Sequence, residues 1–311
     1  MKDLRVFDAG SNPELTREIC YFLNIEPGKL LNIRFSNGEF CPIIEESVRG
    51  RDVYVVQTST QPVDSHLMAM LIVIDALRRA SASRVTVVMP HYFYGRQDKK
   101  TRGREPLTAK LVANLITKAG ADRALFVDLH SSTVQGFFDI PTDHLYALPL
   151  LARYFRNKEI ENPVIVAPDA GGINRARALA QRLGASLAVL EKERLEPNVV
   201  KVNRLIGEVR GRTAIIMDDM IDTAGTLVEG IRFLETQGVE GCYACCTHAI
   251  LSGKAVTRLA EVQLKEIVVT NSVPIPPEKR LPNLTVLSLA EILGAAIERI
   301  HKGMSVSELF Q

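Results

Sequence analysis

Short apolar, β-branched runs recur along the chain, separated by longer stretches whose apolar residues fall at helical spacing. Residues 53–56, 85–88, 124–127, 164–167, 187–190, 214–217 and 266–269 read as strands. Residues 67–80, 108–119, 173–183 and 226–237 read as helices, and several stop near a glycine: Gly120, Gly184 and Gly238. Strand–helix alternation of this kind predicts an α/β fold with parallel sheets.

An internal repeat refines that expectation. One copy runs from the strand at 85–88 through a helix to Gly120 and a strand ending at His130. The other runs from the strand at 214–217 through a helix to Gly238 and a strand ending at His248, with the same glycine-to-histidine spacing. With 311 residues the chain exceeds one ordinary hydrophobic core, so two similar domains are expected. The boundary falls where Pro149 and Pro163 bracket a polar helix, giving domains 1–148 and 149–288. A closing helix at 289–302 fits either domain, and segment 289–311 could pack back on the first.

Composition narrows the function by exclusion. Apolar residues make up 46% and charged residues 24%, ordinary for a globular protein. A net charge of +2 gives no whole-chain field for nucleic acid or a membrane surface, so neither partner is expected. No apolar run approaches bilayer length and the N-terminus lacks a signal-like stretch, so the expected location is cytoplasmic. Five cysteines form no disulfide framework. Cys242, Cys245 and Cys246 lie in a strand-like run with no second Cys or His pair to complete a tetrahedral site, and read as core thiols.

The most informative stretch is Asp218-Asp219-Met220-Ile221-Asp222-Thr223-Ala224-Gly225-Thr226, which follows an apolar strand and leads into a helix. A loop of small residues there exposes backbone N–H groups at a helix N-terminus, where the dipole also favours an anion. Thr223 and Thr226 add hydroxyl donors. Asp218 and Asp219 sit at the carboxyl edge of the strand, where open α/β sheets bind ligands, and can accept bonds from sugar hydroxyls. Any one of these residues alone would read as an ordinary strand–helix turn. No Gly-x-Gly-x-x-Gly fingerprint and no Walker loop occurs. The whole string resembles the phosphoribosyl-diphosphate-binding motif of the type I phosphoribosyltransferase superfamily, which implies two phosphoribosyltransferase-type domains, each a mainly parallel sheet flanked by helices.

Further motifs resemble the ribose-phosphate diphosphokinase family in order and spacing. They are Phe35-Ser36-Asn37-Gly38-Glu39, Tyr94-Gly95-Arg96-Gln97-Asp98-Lys99-Lys100, Asp128-Leu129-His130, Gln135-Gly136-Phe137-Phe138-Asp139-Ile140-Pro141, Pro168-Asp169-Ala170-Gly171-Gly172 and Lys192-Glu193-Arg194. The resemblance implies transfer of the β,γ-diphosphate of ATP to the C1 hydroxyl of ribose 5-phosphate, with Mg²⁺. It implies ATP binding by Phe35, Asn37, Gly38, Glu39, Arg96, Gln97 and Lys99. Ribose 5-phosphate would lie on Asp218, Asp219, Asp222, Thr223, Ala224, Gly225 and Thr226. Lys192 and Arg194, on a charged loop, would act on the reacting phosphates. His130 and Asp169, with Asp128 behind them, would serve the metal–ATP complex.

The family also implies a homo-oligomer, a hexamer built from dimers, with inorganic phosphate and ADP as effectors at Ser47, Arg49, Ser81, Arg104, Ser305 and Ser307. Ser305 and Glu308 also have capping-box spacing. Two segments depart from the family pattern, Asp64-Ser65-His66-Leu67-Met68-Ala69-Met70 and Ser131-Ser132-Thr133-Val134. The rivals are an ordinary phosphoribosyltransferase, which leaves Arg96-Gln97 and Lys192/Arg194 unexplained, and a non-catalytic regulatory paralogue of the same fold.

Overall fold

The computed structural model describes residues 3–196 and 199–310; the side chains of residues 192–196, 199–203 and 310 lie outside that description. It divides into two compact units. Unit 1 takes in Met1–Tyr146, Ser272–Pro274 and Ser288–Gln311; unit 2 takes in Ala147–Asn271 and Ile275–Leu287.

Unit 1 begins with β1 (Leu4–Asp8), α1 (Pro13–Phe22) and the antiparallel hairpin β2 (Leu30–Arg34) and β3 (Phe40–Ile44). It continues through β4 (Asp52–Val56), α2 (Val63–Arg79), β5 (Arg84–Met89), α3 (Thr108–Ala119), β6 (Arg123–Val127) and β7 (Thr142–Leu145). Its five-stranded sheet has the order β1-β4-β5-β6-β7, parallel throughout.

Unit 2 opens with α4 (Leu148–Asn157), β8 (Pro163–Ala167) and α5 (Ile173–Leu183), then the antiparallel pair β9 (Ser186–Glu196) and β10 (Val199–Ile206). There follow β11 (Thr213–Ile221), α6 (Gly225–Thr236), β12 (Gly241–Ala249), α7 (Ala255–Ala260), β13 (Leu264–Thr270) and β14 (Leu284–Leu287). The seven-stranded sheet runs β10-β9-β8-β11-β12-β13-β14. The last described α-helix, α8 (Ala290–His301), belongs to unit 1.

The strands are nearly continuous apolar runs because both sheet faces are covered. In unit 2, Val164, Val166, Ala214 and Ile216 pack towards Leu227, Ile231 and Leu234 of α6. Their neighbours Ile165, Ala167, Ile215 and Met217 pack on the other face against Leu151, Phe155 and Leu179 of α4 and α5. In unit 1, Val53, Val55, Val85 and Val87 meet Met70, Ile74 and Leu77 of α2 and Val112 and Ile116 of α3. Helices α3 and α5 stop at Gly120 and Gly184, both left-handed, which glycine adopts without a Cβ clash. Cys242, Cys245 and Cys246 are buried along β12, with Cys245 Sγ 3.2 Å from Met217 Sδ, so they are core side chains.

The two units repeat one topology, in a different phase from the one the sequence suggests. The succession β1-α1-hairpin-β4-α2-β5-α3-β6-β7 has its counterpart in β8-α5-hairpin-β11-α6-β12-α7-β13-β14; the order β1-β4-β5-β6-β7 matches β8-β11-β12-β13-β14, while the hairpin is a separate sheet in unit 1 and extends the main sheet in unit 2. The strand before α3 therefore corresponds to β12 rather than β11. Helix α4, which follows β7, packs on α5 in unit 2, and α8, which follows β14, packs on α1 in unit 1. Each is fastened by a carboxylate on the sheet: His301 Nδ1 lies 2.7 Å from Asp52, and Lys158 Nζ lies 2.7 Å from Glu266.

Candidate active site

Strand β11 extends further than the apolar run predicts. Its parallel pairing with β12 continues to Met220 opposite His248 and Ile221 opposite Ala249, so Asp218 and Asp219 are strand residues. Alternation then turns them to different surroundings. Asp219 is buried, 3.8 Å from Arg175 Nη1. Asp218 accepts the backbone N–H of Asp219 at 2.8 Å. Desolvation, with the neighbouring Asp219 carboxylate second, pushes the Asp218 carboxyl up to about 7; Asp169 adds to the repulsion.

Beyond Ile221 the chain forms the predicted loop. Ala224 is left-handed at φ 58, and α6 starts at Gly225 with no side-chain cap and no acid in its first turn. The N-terminal N–H groups of α6 are thus presented at the loop, together with the dipole's positive end. Asp222 is tied down by the Ser252 hydroxyl, and Ser252 N donates to Asp222 O at 3.0 Å. Arg258 Nη1 donates to Thr223 O at 2.9 Å. After β8, Asp169 is exposed and caps a short helical turn, one carboxylate oxygen accepting Gly172 N at 3.1 Å. Asp169, Asp218, Asp219 and the 222–226 loop are all in unit 2.

In unit 1, Phe35, Asn37, Gly38 and Glu39 form the tip joining β2 to β3. Phe35 N donates to Glu39 O at 2.9 Å, Glu39 N to Asn37 Oδ1 at 3.1 Å, and Gly38 is left-handed at φ 91. Phe35 is 51% exposed, which removes it from the core and leaves a ring face for a ligand. The 94–100 stretch is stapled to three other segments. The Tyr94 hydroxyl donates to Asp64 on α2. Gln97 receives Thr108 Oγ1 at 2.5 Å and Ala109 N at 3.2 Å, both on α3. Asp98 receives Thr133 Oγ1 at 3.3 Å. Arg96 and Lys99 are exposed beside these anchors. The Thr133 contact brings the stretch to the segment after His130, which is exposed at the end of β6, whereas Asp128 is buried at φ 39.

Lys192 and Arg194 fall in β9, so the expected charged loop is one arm of an antiparallel pair; their side chains lie outside the described residues. Ser47 and Arg49 are exposed near Ser81, whose carbonyl accepts Gly50 N at 2.9 Å. Arg104 is exposed at φ 69. Ser305 and Ser307 hydroxyls are 2.8 Å apart. Glu308 forms an ion pair with Arg299 at 2.7 Å in place of the capping box. Sequence reasoning missed Ser252, Arg258 and Thr133 as site neighbours.

The chain is similar to known proteins over almost its whole length. Residues 4–120 match the family model described as the N-terminal domain of ribose phosphate pyrophosphokinase. Residues 197–311 match the phosphoribosyl synthetase-associated domain. The ribose-phosphate pyrophosphokinase of Gloeobacter violaceus is 51% identical over 99% of this chain and 93% of its own. The chain belongs to the ribose-phosphate pyrophosphokinase family. The Bacillus subtilis family member is 49% identical, covering 99% of this chain and 98% of its own. The crystal structure of phosphoribosylpyrophosphate synthetase from Mycobacterium smegmatis superposes with a TM-score of 0.91 at 41% identity, over 97% of this chain and 99% of that one. The sequence expectations of an α/β fold and of an enzyme of this family are thereby borne out; nothing favours the regulatory paralogue.

Proposed function

We propose that this enzyme transfers the β,γ-diphosphate of ATP to the C1 hydroxyl of ribose 5-phosphate, giving phosphoribosyl diphosphate and AMP. The observation that carries the reading is the uncapped, acid-free N-terminus of α6 behind a small-residue loop, next to the two carboxylates of β11. The loop offers N–H groups to the 5-phosphate, and Asp218 and Asp219 offer acceptors to the ribose hydroxyls. Asp222, Thr223, Ala224, Gly225 and Thr226 form that cradle. On the ATP side, Phe35 with Asn37, Gly38 and Glu39 covers the base, and Arg96, Gln97 and Lys99 hold phosphates. In the reaction the ribose O1 attacks the β-phosphorus, the bond to the α-phosphate oxygen breaks, and AMP leaves. Lys192 and Arg194 stabilise the charge that builds on the transferred group, as cations do in phosphoryl transfer generally.

The donor set suits Mg²⁺. Among the described residues no cluster of three or more His, Cys, Asp or Glu could cage a metal. A hard cation arriving on ATP phosphates, keeping most of its waters, needs only one or two protein groups. Exposed His130 would be such a group in unit 1, with buried Asp128 a poorer one, and exposed Asp169 would be such a group in unit 2. Mg²⁺ would neutralise phosphate charge.

Phosphate and ADP act as effectors through Ser47, Arg49, Ser81, Arg104, Ser305 and Ser307, in a cytoplasmic homohexamer built from dimers. No described helix is long and apolar enough to cross a membrane. The test of the reaction is omission: AMP should form only when ATP, ribose 5-phosphate and Mg²⁺ are all present. AMP released without ribose 5-phosphate would contradict it.

A further inference from the structure

Three carboxylates, Asp218, Asp219 and Asp222, stand at or beside the loop assigned to a phosphate dianion. Helix N–H groups carry only partial charge, so a dianion there gains from a full cation nearby. Arg175 lies with Asp219. Arg258, on α7, approaches the loop from the other side. Its Nη1 donates to the Thr223 carbonyl at 2.9 Å, which fixes the guanidinium against the loop backbone.

Gly225 shows where that guanidinium lies. A Cβ added there would meet Arg258 Nη1 at 3.4 Å, Arg258 Cζ at 4.0 Å and the Thr223 hydroxyl at 4.0 Å. The space beside the first residue of α6 is therefore the point on which a guanidinium and a hydroxyl converge, and glycine keeps it clear of a side chain. Arg258 is half-buried, so its charge is less screened than that of a surface arginine. A guanidinium carries five N–H donors in a planar fork, and the Thr223 carbonyl engages one nitrogen.

We propose that Arg258 is a substrate-binding residue, holding the phosphate loop through Thr223 O and donating its remaining N–H groups to the 5-phosphate of ribose 5-phosphate. This rests on the assignment of the loop to that phosphate. It gives the site a bidentate cation where its own sequence string supplies only carboxylates, hydroxyls and backbone. Ser252 is the matching positioning residue, holding Asp222 from the β12–α7 connection that leads into the helix carrying Arg258.

The test compares wild type, Arg258→Gln and Arg258→Lys in the full chain by calorimetric titration with ribose 5-phosphate and, separately, with Mg-ATP. Loss of a charge-assisted phosphate contact predicts roughly 10- to 100-fold weaker ribose 5-phosphate binding in Arg258→Gln, with ATP affinity within about twofold. Arg258→Lys keeps the charge without the fork, and should lie between. A ³¹P NMR pH titration of bound ribose 5-phosphate separates direct contact from mere support of the loop. The phosphate's second ionisation, ordinarily at about pH 6, should occur at lower pH in wild type than in Arg258→Gln. Ribose 5-phosphate affinity within twofold of wild type in Arg258→Gln, or an unmoved phosphate ionisation, would overturn the assignment. If Arg258→Gln does not fold, an Arg258→Lys variant with unchanged ribose 5-phosphate affinity would overturn it equally. Wild type that binds ribose 5-phosphate without making AMP would count against the proposed reaction, and the comparison of variants would still decide the role of Arg258.

Discussion

The loop after β11 in unit 2 and the loop after β4 in unit 1 occupy the same place in a repeated topology, yet they present opposite chemistry. In unit 2 the helix that follows carries no acid in its first turn, and Thr223 is exposed. In unit 1 the corresponding helix α2 carries Asp64 in its first turn, so its dipole already has an anion. The loop itself is closed by its own bonds. Thr58 N donates to Ser11 Oγ at 2.7 Å, Thr58 Oγ1 to Ser272 O at 2.6 Å, and Ser59 N to His91 O at 3.0 Å. Gln57, Thr58 and Ser59 are buried. The fold supplies a turn at a helix N-terminus twice; the polar partners decide whether its donors face a ligand or the protein.

The hairpins divide in the same way. The β2–β3 tip carries Phe35 and its neighbours, while its counterpart, β9–β10, carries Lys192 and Arg194. The largest expected effect lies there: Lys192→Ala should lower kcat by roughly 100-fold or more while changing substrate KM values little, as loss of a contact made mainly in the transition state does. Near-normal turnover in steady-state assays would remove Lys192 from the chemistry.

Next come the β11 carboxylates. Asp218→Asn with Asp219→Asn should reduce kcat/KM for ribose 5-phosphate by roughly 100-fold through weaker acceptors for the ribose hydroxyls. Asp218 also makes the open loop pH-sensitive. Above the ordinary carboxylate range the unfolded chain has lost this proton, whereas the folded chain keeps it until about 7. The stability of the free enzyme should therefore fall as pH rises from about 4 to about 7. Ribose hydroxyls donate to the ionised form, so ribose 5-phosphate affinity should rise through the same window. Asp218→Asn should flatten the stability dependence in denaturant melts, and leave only the substrate phosphate's own ionisation in the binding profile.

A smaller pair of effects sharpens the contrast between the loops. Thr223→Val should raise the KM for ribose 5-phosphate roughly tenfold with little change in melting, since it removes a donor that faces a ligand. Thr58→Val should do the reverse. It removes the bonds that Thr58 Oγ1 makes to the Ser272 carbonyl and receives from His91 N–H inside the protein, costing about 1–3 kcal/mol in urea denaturation, with both KM values nearly unchanged. If the two substitutions behaved alike, the distinction between open and closed loops would fail.

The parts legible in sequence are those written contiguously. The 218–226 string, the strand cores and the glycine-stopped helices all lie within one local pattern. What escaped depends on long-range contact. Ser252, in the β12–α7 connection, and Arg258, on α7, reach the loop from 30 and 35 residues away, and no local feature marks them. Strands β1 and β7 lie at the two edges of their sheet, where Arg5, Asp8, Asp143 and His144 dilute the apolar signal. The predicted apolar strand stops at Met217 with Asp218 and Asp219 at its edge, because acids are poor strand formers; pairing with β12 carries the strand through them to Ile221. The repeat was visible but out of phase, because a helix–glycine–strand unit recurs several times in such a fold and equal spacing does not identify which pair corresponds.

The most direct measurement is a ³¹P NMR time course of the purified enzyme with ATP, ribose 5-phosphate, Mg²⁺ and phosphate. AMP and phosphoribosyl diphosphate should appear together in equal amounts, with no ADP, because the β,γ-diphosphate moves as one group. ADP as the product, or no transfer to ribose 5-phosphate, would contradict the account.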